Sequence, residues 1–182
     1  LENFKTEIHR ELLAECENGN KKAQFEIYKL YYKAMYNTCL RMVNRCEDAE
    51  DIMQESFLAA FQNLRNRREE ASFGAWLKRI TINKCLDFLK LKKIQFSDFN
   101  ENFDIPEEIQ NENNEQNINL EIIRIKEAVT QLKDNYRIVF NLKVFEGYDH
   151  EETAKILNIK PSTARSIFTR AKIQLTEILN QQ

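Results

Sequence analysis

The side chains able to do covalent or metal chemistry are few in this sequence, and their spacing argues against both. His9 and His150 are the two histidines. The run His150-Glu151-Glu152-Thr153-Ala154 begins like a zinc-protease helix, in which two histidines four residues apart hold the metal around a glutamate base. Ala154, however, stands where the second histidine is required. The cysteines Cys16, Cys39, Cys46 and Cys85 lack any C-x-x-C spacing and fall within or beside helical segments, so they read as buried free thiols rather than a metal or disulfide site. No nucleophile lies beside a base, and no Gly-rich phosphate loop occurs. The expectation is a protein that is not an enzyme and that uses no cofactor or metal.

What remains is binding chemistry, and its first trace is the stretch DAEDIMQESFLAAF at 48–61. Ala49, Ile52, Met53, Ser56, Phe57, Ala60, Phe61 and Leu64 recur at the three-and-four spacing of a core-facing helical stripe. A second stripe, Asp51, Gln54, Glu55 and Leu58, repeats at the same spacing but mixes acids, an amide and an aliphatic. A solvated surface tolerates Leu58 without needing it.

A net charge of −2 conceals a segregation along the chain. From Arg65 to Lys93 the basic residues Arg65, Arg67, Arg68, Lys78, Arg79, Lys84, Lys90, Lys92 and Lys93 face only Glu69, Glu70 and Asp87. Phe73, Trp76 and Phe88 are interleaved with Arg79, Asn83, Lys84 and Lys90. Aromatic faces with cations suit unpaired bases, whereas Phe73 and Trp76 are residues that more often anchor an amphipathic helix in a core than stack on bases. The polar loop Asn66–Ala71 contains nothing for a core and is the better candidate to capture a displaced base. From Ile94 to Glu121 the sign reverses, with eight acids and no Lys or Arg. The run QNENNEQN has too few apolar residues to offset its ordering entropy, so 94–117 reads as a flexible acidic linker.

These groups need elements to hold them. Only 3 Gly and 2 Pro leave little turn chemistry for a sheet, while segments of helical length are rich in Leu, Glu, Lys, Gln and Ala. The fold class expected is all-α, with two small helical domains: 1–93 with helices near 5–17, 21–44, 48–64 and 73–92, and 118–182 with helices near 118–133, 135–146, 150–157 and 161–179. Ser72 is placed to cap the fourth helix, and Asp134 or Asn135 the sixth, which Gly147 ends. Asp149 and Glu152 form a capping-box pair, Asn158 tolerates the positive φ of a helix stop, and Pro161 suits a first helical position. No run approaches the length of a membrane span and the N-terminal stretch is charged rather than signal-like, so no membrane insertion is expected and the chain reads as cytoplasmic.

The segment DHEETAKILNIKPSTARSIFTRAKIQL at 149–175 therefore specifies helix, tight turn, helix. Ala154, Ile156, Leu157, Ile159, Ala164, Ile167, Phe168 and Ala171 supply a shared core. In a helix-turn-helix the second helix enters the major groove with its N-terminal residues against base edges. Ser162, Thr163, Arg165, Ser166, Thr169 and Arg170 then lie on or near the outward face, with Lys160 and Lys172 in reach of phosphates. A plain helical hairpin with a solvated basic face is the competing reading.

DAEDIMQESFLAAF, FGAWLKRITINKCLDFLK and YRIVFNLKVFEGYDHEETAKILNIKPSTARSIFTRAKIQL, with the helix at 25–43, together resemble bacterial RNA polymerase sigma factors of the small extracytoplasmic-function (ECF) type, group IV of the sigma-70 family. The resemblance covers most of the chain, in order, with no third domain between. It implies that 1–93 is a region 2-like domain and 118–182 a region 4-like domain. It implies that Asp48, Asp51, Gln54, Glu55 and Leu58 bind core RNA polymerase at the clamp coiled coil of the largest subunit. Arg65, Asn66, Arg67, Arg68, Phe73, Trp76, Arg79, Asn83 and Lys84 would recognise and melt the minus-ten element of promoter DNA. Lys160, Ser162, Thr163, Arg165, Ser166, Thr169, Arg170 and Lys172 would read the minus-thirty-five element as duplex. It further implies an inhibitory anti-sigma factor. Three positions depart from the family's pattern: Lys160 where a capping serine is common, Ile167 at a frequently basic position, and Ala164 where a larger aliphatic is usual. Two rival readings are a stand-alone helix-turn-helix regulator and an inhibitor that mimics a sigma domain.

Overall fold

The computed structural model describes residues 9–67, 72–91 and 118–181. The acidic segment 94–117 and Arg68 lie outside the described residues. The described residues are helical with no strand, and the chain divides into two compact units, Leu1–Leu91 and Lys92–Gln182. The all-α expectation holds.

In the first unit α1 (Arg10–Glu17) leads to α2 (Lys21–Val43), α3 (Cys46–Asn63), a 3-10 turn (Leu64–Asn66) and α4 (Phe73–Leu91). The boundaries follow from local chemistry. The Asn20 side chain accepts from the backbone N–H of Lys22 at 3.0 Å and of Ala23 at 3.4 Å, satisfying donors that have no partner within α2. Asn44, at φ 57°, ends that helix in the left-handed conformation asparagine tolerates. Ser72 caps α4 through the Ala75 N–H at 3.3 Å, as the sequence predicts.

Helices α2, α3 and α4 pack pairwise into a three-helix core, with α1 laid against α2. Ile27, Met35, Cys39 and Met42 of α2, Ile52, Met53, Phe57 and Ala60 of α3, and Leu77, Ile82, Cys85 and Leu89 of α4 are all buried. Each large side chain so enclosed contributes about 1.5–3 kcal/mol. The stripe predicted for α3 is the buried one, except that Phe61 is half-buried. Its one polar member, Ser56, turns its hydroxyl back to the Ile52 carbonyl at 2.7 Å and so is buried without an unmet donor. Cys16, Cys39 and Cys85 are buried free thiols. Burial, aided by Glu15 and Glu17, pushes Cys16 up to about 11, which keeps it protonated and unreactive. Cys46 corrects the expectation: it opens α3 with its face outward and is exposed.

The second unit comprises α5 (Ile118–Thr130), α6 (Asp134–Val144), α7 (His150–Leu157) and α8 (Pro161–Asn180), with α8 touching the other three. Ala171 of α8 joins Val129, Leu132 and Phe140 in a core cluster that Phe168 and Tyr136 border. Neither Asp134 nor Asn135 caps α6. Lys133 occupies that position, and Asp134 is the first helical residue, where it pairs at 2.6 Å with the buried Arg137. Arg137 also donates to the Leu132 carbonyl at 3.3 Å, so its charge is enclosed with partners rather than bare.

Candidate functional site

The helix-turn-helix is built as its sequence dictates. The Asp149 carboxylate accepts the Glu152 N–H, and the Glu152 carboxylate accepts the Asp149 N–H, each at 2.8 Å. This reciprocal cap fixes the start of α7 and holds the Asp149 carboxyl below its ordinary range. Asn158, at φ 54°, turns the chain, and the Ile159 N–H closes on the Ala154 carbonyl at 3.0 Å. Pro161 then begins α8 without forfeiting a donor, while Lys160 at the cap position makes no side-chain hydrogen bond to the helix. Buried Ala154 and Ala164 are both small, and each is nearly without solvent contact where α7 and α8 meet.

On α8, Ser162, Arg165, Ser166 and Lys172 are exposed, as is Lys160 before it. Thr169 and Arg170 are half-buried, and the Thr169 hydroxyl is turned to the Arg165 carbonyl at 3.1 Å. Thr163 departs from the expectation: at 8% exposure it faces the interior rather than outward. It sits one residue before Ala164 and four before Ile167, and so shares their inward side of the helix. Ile167 is buried too, so in this fold the position could not have offered a basic side chain to solvent.

In the first unit Asp51, Gln54, Glu55 and Leu58 are exposed on α3 on the side away from its buried stripe, and Leu58 is 61% accessible. Asp48 differs from them. Its side chain is only 18% accessible and lies 3.5 Å from the Arg45 guanidinium, so it is tied to its own helix start. On α4, Arg79 and Asn83 are exposed and Trp76 and Lys84 half-buried. Lys84 reaches back across to Glu55, Nζ to Oε2 at 3.0 Å. Phe73 takes the core place that its type favours and not the DNA face that the resemblance implies. It is 4% exposed, with its ring 5.3 Å from that of Tyr31 and 5.8 Å from that of Trp76, and it anchors α4 to α2.

Before α4, Arg65 and Asn66 are exposed on the 3-10 turn and Arg67 is half-buried after it. The Arg65 guanidinium donates to the Glu17 carbonyl at the end of α1 at 3.0 Å, a tether with no local sequence signal because its partner lies 48 residues away. Sequence reasoning passes over Lys143 and meets His150 only as the start of an incomplete metal motif, yet the fold brings both beside α8: the Lys143 ammonium and the Lys172 ammonium each lie over the Phe168 ring, at 5.5 and 5.6 Å from its centre, and the His150 ring meets it at 5.7 Å. Among the described residues no group of His, Cys, Asp and Glu has the arrangement of a metal site, and no helix is long and apolar enough to cross a membrane.

Two compact helical units, the second a helix-turn-helix, have direct counterparts among known proteins. Residues 27–93 match the family Sigma-70 region 2, and residues 122–175 match Sigma-70, region 4. The chain belongs to the sigma-70 family and is a sigma factor of the ECF type. It is 26% identical over 183 residues to the ECF RNA polymerase sigma factor SigW of Bacillus subtilis, spanning 92% of this chain and 94% of that one. It is 26% identical over 170 residues to the ECF RNA polymerase sigma-E factor of Haemophilus influenzae, spanning 88% and 89%. In fold it resembles the sigma factor RpoE in a co-crystal structure with the anti-sigma factor NepR from Bartonella quintana. That likeness has a TM-score of 0.56 and 21% identity over 85% of this chain and 95% of that one. Sigma factors direct promoter-specific initiation of transcription and are regulatory rather than catalytic.

Proposed function

We propose that this protein docks on core RNA polymerase through the exposed stripe of α3 and directs the enzyme to promoters through two DNA-reading surfaces. Leu58 is the observation that carries the docking assignment. An aliphatic side chain 61% accessible, flanked by the exposed Asp51, Gln54 and Glu55, is what a basic helical hairpin such as the largest-subunit clamp coiled coil would cover. Asp48 supports the helix start from its place beside Arg45 and contributes less to that contact.

The minus-ten element then meets Arg65, Asn66, Arg67, Trp76, Arg79, Asn83 and Lys84, with Phe73 positioning Trp76 from below. Capture of an extruded base and of the freed strand stabilises the open promoter without hydrolysis. The minus-thirty-five element is read as duplex by Ser162, Arg165 and Ser166, with Lys160, Arg170 and Lys172 on phosphates and Thr163 and Thr169 holding the helix. The protein acts in the cytoplasm. An anti-sigma factor is its expected inhibitor, a reading supported by the likeness to RpoE, which was crystallised with the anti-sigma factor NepR.

Run-off transcription with purified core polymerase free of other sigma factors tests the reading. Added protein is expected to give RNA with a defined start on promoter-bearing templates. A protein that binds promoter duplex strongly by itself and ignores the core enzyme would instead be a stand-alone regulator.

A further inference from the structure

We propose that α1 is a positioning element of the minus-ten surface: its carboxyl-terminal end holds the Arg65 guanidinium in one place and so pre-organises the 3-10 turn that carries it. The inference rests on the minus-ten role proposed above for Arg65 and its neighbours. It gives a part in that role to a helix that precedes residues 27–93, the stretch matching Sigma-70 region 2.

The end of α1 is closed by its own backbone except at one carbonyl. The Asn20 N–H bonds to the Glu15 carbonyl and the Gly19 N–H to the Cys16 carbonyl, each at 3.0 Å, with Gly19 at φ 79°. This pair of bonds is the usual way in which a left-handed residue terminates a helix. The Asn18 N–H takes the Ala14 carbonyl at 3.3 Å. Glu17, the last residue of α1, keeps a carbonyl that these bonds do not reach, and the Arg65 guanidinium donates to it at 3.0 Å. The last turn of α1 contains Glu15 and Glu17 and no basic residue, so Arg65 supplies from 48 residues away the cation that the negative end of a helix favours.

Both ends of this tether are firmly held. Leu13 and Cys16 are buried on the inner side of α1, and the Asn20 side chain donates to the Glu15 carboxylate at 2.9 Å while it caps α2. On the other side Leu64 is buried, and the Arg67 N–H returns to the Leu64 carbonyl at 3.1 Å. The bond to Glu17 occupies one of the five guanidinium N–H donors. Arg65 is exposed, and among the described residues it has no carboxylate at ion-pair distance. A neutral carbonyl orients the charge without cancelling it. The side chain has therefore already lost much of the rotamer freedom that a free arginine would give up on meeting a strand.

The test is equilibrium binding of a single-stranded oligonucleotide by holoenzyme reconstituted from core polymerase and the full chain. The probe is the non-template minus-ten strand of a promoter that gives a defined start in run-off transcription. A Cβ at Gly19 meets nothing within 4 Å, so Gly19→Ala strains the left-handed end of α1 with no clash and no change of charge. It is expected to lower affinity about three- to tenfold in the otherwise unaltered chain and to have little further effect when combined with Arg65→Gln. Arg65→Lys keeps the charge, but its single ammonium cannot serve the carbonyl and the strand together, so it should lose nearly as much as Arg65→Gln. Thermal unfolding shows that each variant is folded, and core-polymerase affinity should stay the same. Full binding by Gly19→Ala, an equal loss from it with and without Arg65, or full binding by Arg65→Lys would each overturn the proposal. Trp76→Ala separates these outcomes from failure of the underlying reading. If Trp76→Ala and Arg65→Gln both leave binding intact, this surface does not read the minus-ten strand; if both weaken it and Gly19→Ala does not, the part given to α1 alone is wrong.

Discussion

Glu55 and Lys84 form an ion pair, Oε2 to Nζ at 3.0 Å, that joins the exposed stripe of α3 to the basic face of α4. The side chains are 62% and 36% accessible, so the pair contributes at most about 1 kcal/mol to stability. Its placement gives it a second consequence. In the proposed complex polymerase competes for Glu55 and releases Lys84 toward the melted strand. Glu55→Gln is expected to weaken core binding, whereas Lys84→Gln should leave core binding undiminished or slightly tighter and reduce promoter opening. Core affinity from a pull-down titration and opening from permanganate reactivity of unpaired thymines measure the two effects. Equal loss of core binding in both variants would show that the two helices present one polymerase surface.

Leu58 permits a sharper separation of stability from binding. Because it is largely accessible in the free protein, Leu58→Ala should change the unfolding free energy by less than about 0.5 kcal/mol. The same truncation at the centre of a protein interface costs about 1–2 kcal/mol, or roughly 5- to 30-fold in core affinity. Charge reversal at Asp51 and Glu55 should add to the loss chiefly through a slower association rate that salt partly masks. Unaltered association kinetics in the reversed variant would place the contact on another face.

Gly74 sets the approach of α4 to α2. A Cβ built at this position meets Cε1 of Tyr31 at 2.9 Å. Tyr31 has little room to yield, since Phe73 and His9 lie against its ring at 5.3 and 5.8 Å. Gly74→Ala gains up to about 1 kcal/mol of helix propensity but forces this packing apart at about 1–3 kcal/mol. The expected result is net destabilisation by about 1 kcal/mol in urea unfolding. A more stable variant would show that the ring moves freely.

How much of this is legible in the sequence depends on the range of the interactions involved. The α3 stripe, the Ser72 cap, the Asp149–Glu152 box, the Asn158 turn and the Pro161 start are set by neighbours within four residues, and local periodicity and capping chemistry suffice to place them. Positions decided by long-range packing are not legible in this way. By type and spacing Phe73 suits a stacking face as well as a core, because its partner Tyr31 is 42 residues earlier in the chain. Thr163 carries a group fit for bases, yet the crossing of α7 and α8 turns it inward. The pairing of Arg65 with Glu17 and the meeting of Lys143 and His150 at Phe168 have no sequence period at all. They arise only where distant helices converge.

His150 also marks the pH response of the free protein. Its pKa is lowered from an ordinary 6.5, first by burial and then by Lys143 and Arg165, with Asp149 opposing and Lys172 adding to the fall. The folded state thus binds a proton less readily than the unfolded chain. This contribution favours folding fully above about pH 6.5 and is lost progressively as the pH falls through the depressed folded value. Asp149, lowered from 3.8, acts in the same direction, but its contribution disappears only below that more acid value, so the two windows separate. Thermal midpoints of the full chain at low salt should therefore decline between about pH 7 and pH 5, and His150→Gln should flatten the decline. Lys143→Gln, which removes one of the cations acting on the ring, should flatten it in part. An identical pH profile in unaltered protein and His150→Gln would assign the response to other groups.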